Sequence, residues 1–390
     1  MAAMEKNNKN LNVPNLRFPE FSGEWDITTI GEISNIKNGP FGSVLHAEDY
    51  VSDGIPIVTT EHFKSGSLPI VKDGIPQVSE QDYIRLKGYK LQTNDIVFSR
   101  VGSVDINAYV SDTQNGWLFS GRVLRVRPIS SVNSLCLHFV LSTEKVKQGI
   151  RSRAVGQTMP SINTPILSTT NIFLPKSLEE QRKISIFLAL IDARLETQKK
   201  IIEKYESLIR GLYHSVFNQP ASTLQLKDVV SVVKGQQVNG EELLEYGKYY
   251  VMNGGTEPSG YLDVCNTPAN TISISEGGNS CGYVQYNTEP FWSGGHCYSL
   301  IQKEQSVSYQ YLYHFLKYKE RNIMALRIGS GLPNVQKKDL ERFEIRVLPT
   351  KQQNRVAEIL EDVSAKCDLE RRILQGWKCQ KSYLLHNLFI

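Results

Sequence analysis

Nowhere in the 390 residues is there a run of 18 apolar side chains, so a membrane-spanning helix is not expected. Cysteine is sparse: six, at 136, 265, 281, 297, 367 and 379, without a CxxC pair. That excludes the common redox and zinc-ribbon spacings and fits a reduced, cytoplasmic setting with free thiols. His296 beside Cys297, with Cys281 and Cys265 upstream, follows no ordinary zinc spacing. Thiols buried in strands are the plainer expectation, and no metal site is assigned. The opening MAAMEKNNKNLN lacks the apolar core of a secretory signal.

Catalytic signatures are missing as well. The chain has no GxxxxGK phosphate loop and no HExxH pair. It also lacks the small polar residue, two prolines and aromatic with which amino-methyltransferases hold a target base. Gly39-Pro40-Phe41-Gly42 reads as a turn. Gly277-Gly278-Asn279 follows a strand-like run without the spacing or helix of a dinucleotide fingerprint. No catalytic set is assigned.

What is present is length and repetition. A chain of this size holds two or three cores, and a net charge of +4 permits a nucleic-acid partner without requiring one. From Pro175 the sequence runs to Gly211 without glycine. Ile184, Phe187, Leu188, Ile191, Leu195, Ile202, Tyr205, Ile209, Leu212 and Val216 step by three and four for most of its length, one face of a helix roughly 60 Å long. A rod of that length needs a partner helix. The C-terminal stretch supplies one. With Gln181 set against Gln353, Ile184, Leu188 and Ile191 fall on Val356, Leu360 and Val363, and Leu212, His214 and Phe217 on Leu384, His386 and Phe389. Both copies follow a Leu-Pro pair. The second begins KQQ where the first has EEQ, a small loss to the helix dipole.

The globular parts are duplicated too. Residues 1–14 read as a loose tail, 15–175 as a first unit, 176–222 as a central long helix, 223–349 as a second unit and 350–390 as a second long helix. In the first unit a helical or turn segment at 30–36 leads into a turn-rich loop with Lys37 and Asn38. Short strands follow at 55–59, 95–99, 108–110 and 123–126, then a helix at 134–141. This is an α+β pattern. Residues 226–235 echo 30–39, DIVFSRVGS at 95 echoes TISISEGGN at 271, and VGQTMPSI at 155 echoes IGSGLPNV at 328. Between these anchors the units diverge.

Binding chemistry gathers at the matched loops. After the echoed strands come Ser99, Arg100 and Ser103 in one unit, and Ser275, Glu276 and Asn279 in the other. Arginine grips the N7/O6 edge of guanine, while Asn, Glu and Ser read other base edges or phosphates. Solvent-facing turns would look the same. Arg151, Arg153 and Gln157, matched by Arg327, Ser330, Lys337 and Lys338, suit phosphate contact or a solvated face. The stretch YYVMNGGTEPSGY at 249, with Asn253, is glycine-rich and aromatic, fit for close approach to a ligand. Tyr249, Tyr261 and Tyr283 serve equally as core.

These marks resemble the specificity subunit of type I restriction–modification systems. They are the LP…EQ..I start at 174–184, its echo at 348–356, the G..LP.I/V-type element before each (GQTMPSI and GSGLPNV), and NGG…PSGY followed by TISISEGGNSCGYV. The resemblance spans about 15–390. It implies two target-recognition domains, each reading half of a bipartite site in double-stranded DNA. Two long antiparallel coiled-coil helices, related by an internal pseudo-twofold repeat, would act as the spacer. It implies no catalysis by this chain. Two modification (methyltransferase) subunits with S-adenosylmethionine, and restriction subunits with ATP and Mg, would be the partners and carry the cofactors. Trp377, Tyr383 and Leu388 are docking candidates, with seam packing as the other reading. A structural or regulatory coiled-coil protein, and a half-partner of a different methyltransferase, stay open from sequence.

Overall fold

The computed structural model describes residues 12–40, 45–303, 307–329, 331 and 333–390. Residues 1–11 of the expected tail lie outside these. The chain divides into two compact units, Met1–Thr197 with Leu374–Ile390, and Gln198–Ile373. Each unit therefore holds one globular part and a portion of each long helix.

In the first unit, Ile96–Ser99 is apolar on both faces and fully buried, as a central strand must be. It pairs antiparallel with Val123–Pro128 and Asn107–Tyr109, and Ser34–Asn38 closes the other edge. A smaller sheet orders Tyr50–Val51, Gln77–Val78, Ile55–Val58 and Leu118–Phe119, the last two parallel. The helix Ser134–Leu141, capped by the Asn133 side chain, packs its Leu137 and Leu141 into the core with Trp25, Ile96, Phe98 and Leu124.

The second unit repeats this strand order. Thr271–Ser275 pairs with Cys297–Gln302 and Val284–Asn287, with Val230–Lys234 at the edge. Tyr249–Met252 again makes a parallel pair, here with Trp292–Ser293. The helix Tyr309–Tyr318, capped by Ser308, stands where Ser134–Leu141 does in the first unit. Residues 30–33 form a turn and Leu226–Val229 a single helical turn, each followed by a strand. Lys37 and Asn38 therefore lie in the strand Ser34–Asn38, not in the loop expected from the glycines after them. A strand there is bonded along its whole length to Val123–Pro128, which overrides the turn propensity.

One glycine in each unit has no alternative. A Cβ on Gly39 would lie 2.0 Å from the Ser120 carbonyl oxygen, and one on Gly235 would lie 2.2 Å from that of Gly294. Both glycines end the edge strand where the backbone crosses the opposite strand's start.

The long helices are Leu178–Phe217 and Thr350–Leu388, 40 and 39 residues. They pack antiparallel. Within the first unit Lys381 Nζ meets Asp192 Oδ1 at 2.5 Å and Arg194 lies over Trp377, as Leu384, Leu388 and Phe389 enter the core beside Ile184 and Leu188. Within the second, Arg371 Nη2 meets Glu206 Oε1 at 2.7 Å, and Phe217 stacks on Tyr318 and meets Tyr311 and Phe315 edge-on. Phe217 and Phe389, matched by the repeat, thus do the same job in different units. Gln198 and Glu370, 172 positions apart like Gln181 and Gln353, bond to one another: Gln198 Nε2 donates to the Glu370 carbonyl at 3.2 Å and to its carboxylate.

The matched glutamines act alike. Gln181 accepts from Asn133 N at 2.8 Å and donates to Pro175 O at 2.8 Å. Gln353 accepts from Ser308 N at 2.8 Å and donates to Leu348 O at 2.6 Å. Each ties the start of its long helix to the capping residue of a domain helix. The EEQ/KQQ difference is larger than a dipole effect. Glu180 is buried, accepting from Arg17 Nε at 2.8 Å, Arg17 Nη2 at 2.9 Å and Trp25 Nε1 at 3.3 Å, whereas Gln352 is exposed.

Candidate DNA interface

In each unit, one end of the main sheet collects the polar side chains. In the first, the end of Ser34–Asn38, the start of Val123–Pro128 and the end of Ile96–Ser99 lie side by side. The chain leaving Ser99 is fixed by its backbone: Arg100 N donates to Arg122 O at 3.0 Å, Ile162 N to Arg100 O at 2.9 Å, and Gly102 N to Pro160 O at 2.8 Å. Gly102 takes φ +82°, a conformation that favours glycine. In the second unit Glu276 N donates to His296 O at 2.8 Å, Val335 N to Glu276 O at 2.8 Å, and Gly278 N to Pro333 O at 3.0 Å, with Gly278 at φ +79°. The echoed VGQTMPSI and IGSGLPNV segments close as matching loops, Val155 bonding Ser161 and Ile328 bonding Asn334 in both directions.

On this shared frame the side chains differ. In the first unit Arg100 Nη1 donates to Gly121 O at 3.2 Å, and Arg122 is exposed beside it. Asn38 is half-buried, and its Oδ1 has no hydrogen-bond partner among the described residues. Lys37 is turned along the surface, donating to Gly88 O at 2.7 Å over the Tyr89 ring. Ser99 is buried and Ser103 exposed. In the second unit Glu276 Oε1 receives Lys234 Nζ at 2.7 Å and the Tyr298 hydroxyl at 2.9 Å. Its Oε2 is buried with no hydrogen bond among the described residues; His296 Nδ1 stands 3.9 Å away. Burial, then the Glu276 carboxylate, push the Tyr298 phenol well above its usual range. Asn253 Oδ1 accepts from His296 N at 3.1 Å, and Ser275 Oγ donates to Gly254 O at 2.6 Å. Asn279 is exposed.

The other basic candidates are placed differently. Arg151 is ion-paired to Asp105 at 2.5 Å and to Glu144, and the hydrogen bonds to Glu144 and Asp105 hold its guanidinium above the ordinary arginine value. Arg153 bonds Gly149 O, Thr169 and Thr170, lining a cavity of about 390 Å³ with Lys145, Phe173 and Phe389. These two arginines are engaged inside the unit. Gln157, Arg327 and Lys338 are exposed, and Lys337 is exposed with Glu341 at 3.7 Å. Ser330 lies outside the described residues. Of the docking candidates, Leu388 is buried in the first unit's core, Trp377 is half-buried under Arg194, and Tyr383 is 60% exposed.

Sequence reasoning missed Lys234, His296 and Arg122 as site residues. Lys234 was within reach, since it occupies the place of Asn38 in the repeat. His296 stood out only through its cysteine neighbour. Cys297 is buried in a strand, and burial pushes its thiol up to about 11, but Cys281 is buried in a turn and Cys265 is exposed. No group of three potential metal ligands occurs among the described residues.

A family model described as type I restriction modification DNA specificity domain matches residues 22–206 and again 219–376. The chain belongs to this family. Among similar proteins, one from Mycoplasma genitalium named as a type I specificity subunit is 32% identical over 166 residues, 40% of this chain and 43% of that protein. Another so named, from Mycoplasma pneumoniae, is 25% identical over 48% of this chain and 53% of its own length. The chain thus spans about half the length of these two relatives. A Methanocaldococcus jannaschii protein named as the MjaX specificity subunit is 23% identical over 90% of both chains. The fold matches the crystal structure of a type I system S subunit from M. genitalium, with TM-score 0.73 at 19% identity over 97% of this chain and 99% of that one. It also matches a chain from work on assembly and conformational transition of a type I system, at TM-score 0.53, 15% identity and 93% and 96% coverage. The family model thus matches this chain twice, and no described helix is long and apolar enough to cross a membrane.

Proposed function

We propose that this chain is the DNA sequence-specificity subunit of a type I restriction–modification complex, each unit reading one half of a bipartite site. The observation that carries this reading is the pair of matched sheet ends. They share a backbone frame fixed by the same main-chain bonds, yet one bears Arg100 and Arg122 and the other Glu276, Lys234 and His296. One frame with two chemistries suits two half-sites of different sequence. In this reading the exposed Arg327, Lys337 and Lys338 would contact phosphates, with Ser103, Gln157 and Asn279 as further polar contacts.

In this reading the paired helices set the unread gap. The chain itself carries no chemistry. S-adenosylmethionine, ATP and Mg belong to two modification subunits and the restriction subunits that assemble with it in the cytoplasm. Partner docking would use the faces of the long helices still exposed, at Ile186, Leu190 and Tyr383 rather than Leu388.

Methylome sequencing tests this. A host expressing the chain with a modification subunit should show a methylated motif split by a fixed gap, absent when the chain is omitted. An unchanged methylome, with the complex shown to assemble, would overturn the proposal.

A further inference from the structure

Resting on that specificity reading, we propose that Glu276 reads a cytosine in the second half-site, at the place where Arg100 reads a guanine in the first. The two residues are equivalent by position. Each follows the buried serine that ends its central strand, each donates its backbone N–H to the residue before the paired strand, and each carbonyl accepts from the returning chain, at Ile162 or Val335. Their side chains offer opposite chemistry at one place. A guanidinium only donates and suits the N7/O6 acceptors of guanine. A carboxylate only accepts and needs an exocyclic amine.

The Glu276 carboxylate is half satisfied. Oε1 is held by Lys234 and Tyr298, which fix its orientation, while Oε2 has no donor among the described residues. A buried acceptor left open in this way calls for a donor from outside. The His296 imidazole, 60% exposed, stands beside it with Nδ1 3.9 Å away, and admitting an outside donor requires that ring to turn aside. The loop is otherwise rigid, tied at Glu276 N, Glu276 O and Gly278 N.

Both cytosine N4 and adenine N6 are exocyclic amines, and the surroundings favour cytosine. Adenine places the N7 lone pair beside N6, which repels a carboxylate. Cytosine places only a C–H there, and its partner guanine turns O6 and N7 toward a neighbouring donor. Lys234 Nζ, 2.7 Å from Oε1, is that donor.

The test is the methylated motif of the full chain assembled with its modification subunit, compared with Glu276→Gln and Glu276→Asp. Gln adds a donor at constant shape, so discrimination should fall roughly 10- to 100-fold at one position of one half-site. That position should be C·G in the parent motif, with the other half unchanged. Asp should keep the cytosine preference. Methylation lost with Gln but kept at cytosine with Asp would also support the assignment. An unchanged motif with Gln, relaxation at a position that is A·T in the parent, changes in both halves, or loss with both variants in an assembled complex would overturn it. If the parent chain gives no split motif at all, the specificity reading fails first and takes this assignment with it, so the two failures are distinct.

Discussion

The two units place Arg100 and Glu276 at one address and surround them differently. The difference teaches which bonds are indifferent to side chains. The frame at this address is made by main-chain pairs, Arg100 N to Arg122 O and Glu276 N to His296 O, and by glycines at positive φ. Such bonds form whatever the side chain, so the residues between them are free to vary with the half-site. Where a side chain makes the frame, as with Gln181 and Gln353, both units keep it. Glu180 is the exception: a buried ion pair with Arg17 found only in the first unit.

The largest expected effect breaks that asymmetry. Glu180→Ala strips Arg17 of its carboxylate partner, leaving it only the Ser22 and Gly23 carbonyls, and leaves the Trp25 indole without its acceptor; it should cost the first unit about 3–5 kcal/mol. Gln352→Ala, at the matching exposed position, should change stability by under about 0.5 kcal/mol. Hydrogen exchange resolved by unit reads this, and equal loss of protection in both units would contradict the assignment. Next come Gly39→Val and Gly235→Val. Each drives carbon into a backbone carbonyl and should cost its own unit about 2–3 kcal/mol. Retention of parental thermal stability by either would show that the close approach is not fixed.

Each unit also buries a histidine. Burial, then the positive Lys381 and Lys147, hold His138 down at about 3, and burial holds His314 at about 4. The folded values lie below the ordinary 6.5, so the unfolded chain binds the extra protons. Stability is therefore full above about pH 6.5 and falls as pH drops toward 4, by about 2 kcal/mol per histidine at pH 5. Denaturant titrations at pH 7.5 and 5 should show this, and His314→Gln should remove the slope from the second unit only. A second unit that keeps its slope would place the titration elsewhere. The smallest effect sharpens the comparison. Gln181→Leu and Gln353→Leu should each cost about 1–2 kcal/mol, alike to within experimental error. Costs differing by more than about 1 kcal/mol would mean that the matched glutamines are not equivalent.

The sequence carried the long helices well, because apolar spacing in a 40-residue segment leaves little choice of period, and the Gln181/Gln353 match set the register of the repeat. The helix Ser134–Leu141 was legible from its apolar run. Lys37 and Asn38 were misplaced because strand pairing to Val123–Pro128 is non-local, whereas the glycines beside them are local. The two-residue strands Leu118–Phe119 and Trp292–Ser293 leave no periodicity to detect. At the site, residue type named Arg100 and Glu276. Only the fold showed that Lys234 and Tyr298 grip one carboxylate oxygen, and that Arg151 and Arg153 are occupied within their own unit.

The central claim is that the two units read separate halves of one site, and a domain exchange tests it most directly. Residues 15–175 are replaced by the first unit of another member of the family, and the methylated motif is sequenced. One half should change to the donor's sequence, while the other half and the gap stay as they were. Both halves changing together, or neither, would contradict the account.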